Sequence, residues 1–343
     1  MYMYTQGHSR LISTGACIPE ERISSRRIME LIESEDRFNV PYDWLERITG
    51  VKERRIAPEC LQPSDMAVQA AEEAMTAARI QPEQIDAIIY TGMSRDFLEP
   101  ATAHVIQSKI GAHNAVSFDI TNACHGFMNG MHLMDVLIAS GQVRRGLVVT
   151  GEKAWRYSRL AIEALRQSRD RDEFLRLASG LGLGDAGAAV LMGPKIDPNG
   201  GFLGFMLQSQ AQYYALSVCG RNGMMTPLEA NMGPLIREGI RLWSLMYREF
   251  MDKIGWRPDQ INWCVQHQAS RKMIKSIAEY AGVSYEIMVD TVTRFGNLST
   301  ANIPFNLYQL QKNQQVTSGG KILLTGGGSG IAISKAALIW DAA

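Results

Sequence analysis

In "DITNACHGFMNG" (119–130) a single thiol, Cys124, stands between a strand-like run and an apolar helical run spaced by glycines. A thiol at a helix N-terminus meets unpaired N–H groups and the positive end of the macrodipole. Both favour thiolate, so the pKa of Cys124 is expected to fall. The five cysteines (Cys17, Cys60, Cys124, Cys219 and Cys264) are odd in number, widely spaced, and form no CxxC or Cys/His cluster. That pattern argues against a disulfide framework or a zinc site, and no metal is expected. Cys264, inside "INWCVQH", reads as a small buried hydrophobe. Two polar residues could complete a site around Cys124: His267, just after "NWCVQ", and Asn297 in "FGNLSTANIP". Histidine oriented by asparagine is a general base in a protease-like triad. The same pair can instead donate hydrogen bonds to a thioester oxygen as it becomes an enolate, which is condensation chemistry. Spacing leaves both open.

The elements that would bring these residues together come from an internal duplication. "QPEQIDAIIYTG" (81–92) echoes "RPDQINWCVQHQ" (257–268) at an offset of 257 − 81 = 176, and "RRGLVVTGE" (144–152) echoes "GGKILLTGG" (319–327) at 319 − 144 = 175. Two copies of a unit about 175 residues long follow. In each, a helical pattern ("SDMAVQAAEEAMTAARI", "PLIREGIRLWSLMYREFMDKIG") precedes a Pro-containing turn and a short strand, "IDAIIY" or "INWCVQ". Ser64 or Asp65 is the expected N-cap of the first helix. A second helix and the strand "GLVVTG" or "KILLTG" complete the copy. Alternating strands and helices predict mostly parallel sheets covered by helices. Facing halves place equivalent strand ends around one centre, where open α/β sheets bind ligands. His267 is then the counterpart of Thr91, and Cys124 that of Ser299. The expected division is an N-terminal half over 1–195 carrying the nucleophile and a C-terminal half over 196–343 carrying His267 and Asn297.

Composition narrows the function classes. Charged residues make up 20% and the formal net charge is zero, which gives no footprint for nucleic acid or an anionic membrane. No apolar run reaches the roughly 18 residues a membrane span needs. The N-terminus lacks the basic-then-apolar layout of a signal peptide, so a cytoplasmic location is expected. The loop "GGGSG" (326–330) lacks both GK[ST] and GxGxxG spacing, and reads as a tight turn beside the site that supplies a second oxyanion N–H. His125 reads as structural.

Taken together, "DITNACHGF", "HQAS" and "FGNLSTANIP" resemble, in order and spacing, the Cys–His–Asn motifs of the thiolase superfamily and of its β-ketoacyl-ACP synthase III type. "YDWLERITGVKERRIA", "GDAGAAVLM" and "GGGSGIAIS" match as well, so the resemblance spans essentially the full length. It implies an α/β thiolase fold: duplicated βαβαβαββ halves in a five-layer αβαβα arrangement. It also implies roles: Cys124 takes an acyl group as a thioester, His267 and Asn297 hold the second substrate's carbonyl oxygen, and the N–H groups of Cys124 and Gly328 form the oxyanion hole. Substrates would be CoA or phosphopantetheine thioesters, carried by acyl-CoA or an acyl carrier protein, with no cofactor bound permanently. A homodimer paired through the strand "RGLVVTGE" is implied too.

Within that family "TGMSRDFLEPATA" is similar to the OleA-type head-to-head condensing enzymes, and to relatives that form α-pyrones. The likeness implies that Glu99 is the base removing an α-proton in the partner subunit's site, giving non-decarboxylative Claisen condensation of two acyl or β-ketoacyl thioesters. The alternatives are a malonyl-dependent decarboxylating synthase III and an acyltransferase of secondary metabolism on the same fold. For CoA contacts the resemblance implies Trp44 on the adenine, with Arg47, Ser270, Arg271 and Lys272 nearby. The usual arginine four positions after the tryptophan is Ile48 here. A helical insertion at about 153–180 offers Leu160, Ile162, Leu165, Phe174, Leu175 and Leu177 to cover an acyl channel. Its Arg166, Arg169, Arg171 and Arg176 could meet a phosphopantetheine or an acidic carrier, or simply face solvent. Methionines at 206, 224, 225 and 232 could line a flexible tunnel.

Overall fold

The computed structural model describes residues 2–220 and 224–341. Strands β1 (Met3–Gln6) and β2 (Ser9–Cys17) precede an antiparallel pair, β3 (Glu21–Ser24) and β4 (Glu53–Ile56), which brackets helices α1 (Ser25–Leu31), α2 (Ser34–Phe38) and α3 (Trp44–Thr49). Next come α4 (Pro63–Ala78), β5 (Ala87–Tyr90), α5 (Thr102–Ile110), β6 (Val116–Asp119), α6 (Gly126–Ala139) and β7 (Gly146–Glu152). Helices α7 (Trp155–Gln167) and α8 (Arg171–Leu177) lead to β8 (Ala186–Pro194). The second run contains β9 (Gly201–Ser209), the short pair β10 (Ser217–Val218) and β11 (Glu229–Ala230), α9 (Met232–Ile254), β12 (Trp263–Gln266) and α10 (Arg271–Ala281). It ends with α11 (Val292–Phe295), α12 (Asn302–Lys312), β13 (Lys321–Gly328) and β14 (Ala332–Ile339).

Two five-stranded sheets share one plan, in the orders β2-β8-β7-β5-β6 and β1-β9-β14-β13-β12. They are mixed rather than mostly parallel: β5 and β7, like β12 and β13, run parallel, whereas β8 and β14 oppose their neighbours. The three residues between β13 and β14 are too few for the crossover a parallel pair requires. The registers carry the duplication. Ala87 faces Gly146 and Trp263 faces Ile322, so both strands keep an offset of 263 − 87 = 322 − 146 = 176. Gly146 faces Met192 while Ile322 faces Leu338, an offset of 338 − 192 = 146. The difference, 176 − 146 = 30, is an extra 30 residues between β7 and β8 in the first copy, the segment holding α7 and α8. At the place of β6 (116 + 176 = 292) the second copy has α11 instead of a strand.

Alternation along the strands builds the layers. Ile88 and Tyr90 face α4 and α5 through Ala67, Ala70, Ala74 and Ile106, while Ile89 faces the other way. Between the sheets, Phe127, Met131 and Met134 of α6 and Ile303 and Leu307 of α12 fill a core with Ile89, Val148, Val265 and Leu324. Trp243, Met246 and Phe250 of α9 and Ile274 of α10 cover the second sheet. The result is the expected five-layer αβαβα thiolase fold. Helix α4 begins differently from expectation. Gln62 is the N-cap, Pro63 presets the first turn, and Asp65 at N3 accepts from the Gln62 N–H at 2.8 Å.

The insertion forms a satellite core with the N-terminal helices. Ile162, Leu165, Phe174 and Leu177 are buried against Ile28, Met29, Ile32 and Leu45 of the N-terminal helices, and Leu175 is exposed. Arg171 donates to the carbonyls of Phe38 and Asn39 at 3.0 and 3.4 Å, closing the end of α2. Met206 lies in the outer core and Met224 and Met225 are exposed. Strand β7 is hydrogen-bonded on both sides, to β5 and β8, and has no edge left to pair with a second subunit. The edges of that sheet are β2 and β6, and Val116 of β6 is exposed.

Between α9 and the second sheet lies a buried lysine. Lys335 of β14 is fully buried, pairs in register with Thr325, and places its Nζ 3.6 Å from the Trp243 ring centroid with no hydrogen-bond partner among the described residues. Burial holds its pKa well below the ordinary lysine range. The unfolded chain then binds this proton more readily, so stability falls as pH drops from about 10.5 through the folded pKa. Lys335→Met is expected to raise the unfolding free energy by about 1–3 kcal/mol at neutral pH. It should also flatten that pH dependence in denaturant titrations. A loss of stability would contradict the reading.

Candidate active site

Cys124 lies between the carboxyl end of β6 and the first turn of α6. Ala123 turns the chain through a left-handed φ of 45°. Two glycines let α6 lie directly on the sheet: a Cβ on Gly126 would stand 2.7 Å from the Thr91 carbonyl oxygen, and one on Gly130 would stand 2.6 Å from the Thr91 Cγ2. His267 continues β12, its N–H donating to the Thr325 carbonyl at 3.0 Å as Thr91 donates to Val149 at 2.9 Å. The two positions are equivalent, as expected. Cys124 and Ser299 are not: the helices begin at 126 and 302 and the left-handed residues are Ala123 and Ser299, so the counterpart of Cys124 is Thr300.

Asn297 follows Gly296 (φ 70°) and is pinned through its backbone, its N–H donating to Gly182 at 2.9 Å and its carbonyl accepting from Gly184 at 3.1 Å. The glycine-rich run before β8 therefore sets the height of Asn297. Side chains then link the three expected residues. Ser299 Oγ donates to Cys124 Sγ at 3.6 Å, and the Ser299 N–H donates to Asn297 Oδ1 at 2.9 Å. Asn302 Nδ2 lies 2.8 Å from Asn297 Oδ1 and 3.1 Å from His267 Nδ1. Cys124, His267 and Asn297 thus converge across the two halves. Ser299 and Asn302, unmarked as site residues in the sequence reading, join them.

Titration behaviour differs from expectation at the thiol. Burial pushes Cys124 up to about 11, partly opposed by the Ser299 hydroxyl. A helix terminus contributes about 0.3–1 kcal/mol, under one pKa unit, whereas burial moves a group by several. Burial wins. With the exposed Cys60 replaced by serine, iodoacetamide alkylation of Cys124 followed by peptide mass spectrometry is expected to keep accelerating up to about pH 11. A plateau below pH 8 would exclude this. Burial also lowers His267 to about 4, helped by the nearby His125, so the imidazole is neutral at ordinary assay pH. His125 is itself buried, bonds Asn129 Oδ1 at 2.8 Å through Nδ1, and backs onto the glycine strand. A Cβ on Gly328 would come within 3.0 Å of the His125 backbone nitrogen, which explains the glycine and brings that backbone beside Cys124.

Glu99 is elsewhere on the surface. Its loop is tied down at Ser94, whose N–H donates to Glu152 Oε2 at 3.2 Å, and at Asp96, which accepts from the Ser64 N–H at 2.9 Å. Glu152, absent from the sequence reading, also accepts from Thr300 Oγ1 at 2.5 Å. Beyond these anchors Phe97, Leu98 and Glu99 are exposed, Leu98 by 93%. Glu99 has no hydrogen-bond or ion-pair partner among the described residues.

The other expected residues gather at the junction of α3 and α10, where Gly50 packs against Arg271 closely enough that a Cβ would stand 2.5 Å from the arginine Cβ. Trp44 lies edge-on to Phe174 at 5.2 Å, and Arg47 is exposed beside Asp43. Ser270 caps α10, accepting from the Met273 N–H at 3.2 Å, and Arg271 pairs with Asp290 at 2.9 Å. Lys272 is exposed.

A thiol, a neutral imidazole and an amide at facing strand ends of this duplicated fold define a thiolase-fold condensing enzyme of acyl thioesters. Residues 118–211 match the model of 3-oxoacyl-[acyl-carrier-protein (ACP)] synthase III and residues 251–340 that of its C-terminal part. β-Ketoacyl-[acyl-carrier-protein] synthase III 3 of Streptomyces coelicolor is 29% identical, covering 97% of this chain and 98% of the relative. The Neisseria gonorrhoeae synthase III is 28% identical over 95% and 97%. Among solved structures, Xanthomonas campestris OleA with bound lauric acid and lauroyl-CoA superposes with a TM-score of 0.92 at 27% identity, covering 98% of this chain and 100% of that one. OleA with bound cerulenin gives 0.91 at 26%, covering 98% of each chain. The chain belongs to the 3-oxoacyl-ACP synthase III family of the thiolase superfamily. It is an acyl-transferring, carbon–carbon bond-forming ketosynthase, and among the described residues no helix is long and apolar enough to cross a membrane.

Proposed function

We propose that the enzyme joins two acyl thioesters by non-decarboxylative Claisen condensation. Cys124 Sγ attacks the first thioester carbonyl, the bond to the carrier sulfur breaks, and the carrier thiol leaves with the proton. The N–H groups of Cys124 and Gly328 hold the oxyanion. Glu99 of the partner subunit removes an α-proton from the second thioester, whose enolate oxygen is held by His267 and Asn297. The α-carbon then attacks the acyl-Cys124 carbonyl and the bond to Sγ breaks. The thiolate regains a proton as Glu99 gives up the one it took, and the β-ketoacyl thioester formed yields the β-keto acid and the free carrier thiol on hydrolysis by water.

The observation that carries this reading is the place of Glu99. It sits on a loop fixed at Ser94 and Asp96, among exposed Phe97 and Leu98 and in the half whose sheet has β6 as one of its two edges. An apolar surface next to an open edge supports a homodimer that buries it and carries the glutamate to a neighbouring site. Solved OleA variants carry substitutions at a glutamate, a cysteine and a histidine. Their spacings are 143 − 117 = 26 and 285 − 143 = 142, against 124 − 99 = 25 and 267 − 124 = 143 here. Long-chain acyl-CoA is the substrate class we infer, by analogy with the lauroyl-CoA bound to OleA. Arg47 and Lys272 are the exposed cations at the α3–α10 junction suited to its phosphates, with Trp44 beside the adenine. An acyl carrier protein would present the same phosphopantetheine there.

A second reading, malonyl-dependent decarboxylating synthesis, is favoured by the synthase III relatives, and it needs no base. Products from purified protein and long-chain acyl-CoA, followed by mass spectrometry without and then with malonyl-CoA, separate the two. A β-keto acid or its ketone formed without malonate supports condensation of two acyl chains. Product that forms only with malonate assigns the decarboxylating reaction.

A further inference from the structure

We infer that Asn302 is a positioning residue that fixes the tautomer of His267, so that the Nε2–H, and not a bare lone pair, faces the substrate oxygen. The inference rests on the proposed donor role of His267 and follows from the hydrogen bonds that converge on Asn302. The Ser299 N–H donates to the Asn297 side chain at 2.9 Å, which identifies the receiving atom as the amide oxygen and leaves Asn297 Nδ2 free. Asn302 lies 2.8 Å from that same oxygen, so it presents its NH2 group there; with the amide turned over, two carbonyl oxygens would face each other at hydrogen-bond distance. The NH2 group is also 3.1 Å from His267 Nδ1 and 3.2 Å from the Ser299 carbonyl. Asn302 has two hydrogens for these three acceptors, and the Ser299 carbonyl also lies within reach of the His267 ring; with the ring hydrogen on Nε2, Nδ1 accepts from Asn302 and no ring N–H faces that donor. Asn302 Oδ1, buried and without a partner among the described residues, shows that the amide is held by its donor side alone. One side chain thereby orients both donors, His267 Nε2–H and Asn297 Nδ2–H.

The test reads the tautomer directly. In 15N-histidine-labelled enzyme at neutral pH, His267 is expected to show a pyridine-type Nδ1 and a pyrrole-type Nε2. Asn302→Asp replaces the donor by an acceptor of the same shape and should reverse the two signals. Condensation should fall by about 100-fold, the scale of one lost oxyanion donor. Acylation of Cys124, read by intact mass after a single addition of acyl-CoA, should stay within about threefold, since that step uses backbone N–H groups. A wild-type spectrum with the proton on Nδ1 overturns the inference whether or not the variant folds, as does an Asn302→Asp enzyme that keeps the Nε2–H signal. The reversed spectrum with undiminished condensation would leave Asn302 as assigned and instead overturn the donor role proposed for His267.

Discussion

Cys124→Ala is expected to abolish the covalent acyl-enzyme and reduce condensation by on the order of 10⁴-fold or more, the range seen when an acyl-transfer enzyme loses its nucleophile. Wild-type protein mixed with acyl-CoA should gain the mass of one acyl group per chain, and the variant none. The other thiols are poor substitutes: Cys17 and Cys264 are buried, and neither Cys219 nor the exposed Cys60 joins the hydrogen bonds that link Cys124, His267 and Asn297 among the described residues. Little structural damage should accompany the loss, because among the described residues Sγ makes one hydrogen bond, a long one with Ser299 Oγ at 3.6 Å. The melting temperature therefore serves as a control. Retained acylation would move the nucleophile to another cysteine and undo the site assignment.

Glu99→Ala is expected to lower condensation of two acyl-CoA molecules by about 10²–10⁴-fold, the usual contribution of a general base, while leaving Cys124 acylation intact. Folding should be unaffected, since the exposed carboxylate has no partner among the described residues. Mixing the two inactive variants gives a sharper result. If Glu99 serves the partner's site, each mixed dimer regains one complete site: the cysteine of one chain and the glutamate of the other. Statistical reassortment then restores about a quarter of the wild-type turnover. A glutamate acting within its own chain restores nothing. An Glu99→Ala enzyme of full activity would remove Glu99 from the mechanism and favour the malonyl-dependent reaction.

Much of this protein was legible without coordinates because its signals are local or repeated. Strand periodicity in "IDAIIY" and "INWCVQ" set equivalent elements 176 residues apart, and the registers of β5 with β7 and β12 with β13 reproduce that offset. The equivalence of Thr91 and His267 follows directly. Apolar residues in the insertion were equally visible, yet periodicity reports only that a face is buried, not against what. That they pack on α1–α3 depends on where the N-terminal helices sit.

By itself, then, the sequence determined the doubled α/β plan and the three reactive residue types, since hydrophobic period and motif order are properties of the chain. Tertiary structure decided what those residues are like. It desolvated the half-buried Cys124 thiol, so that burial outweighs the helix terminus, and it enclosed β7 between two neighbours, leaving β2 and β6 as the edges. It also joined Ser299 and Asn302 to residues up to 175 positions away. Solvation, sheet order and side-chain hydrogen bonds depend on distances between remote segments, and those distances exist only once the two halves have closed on each other.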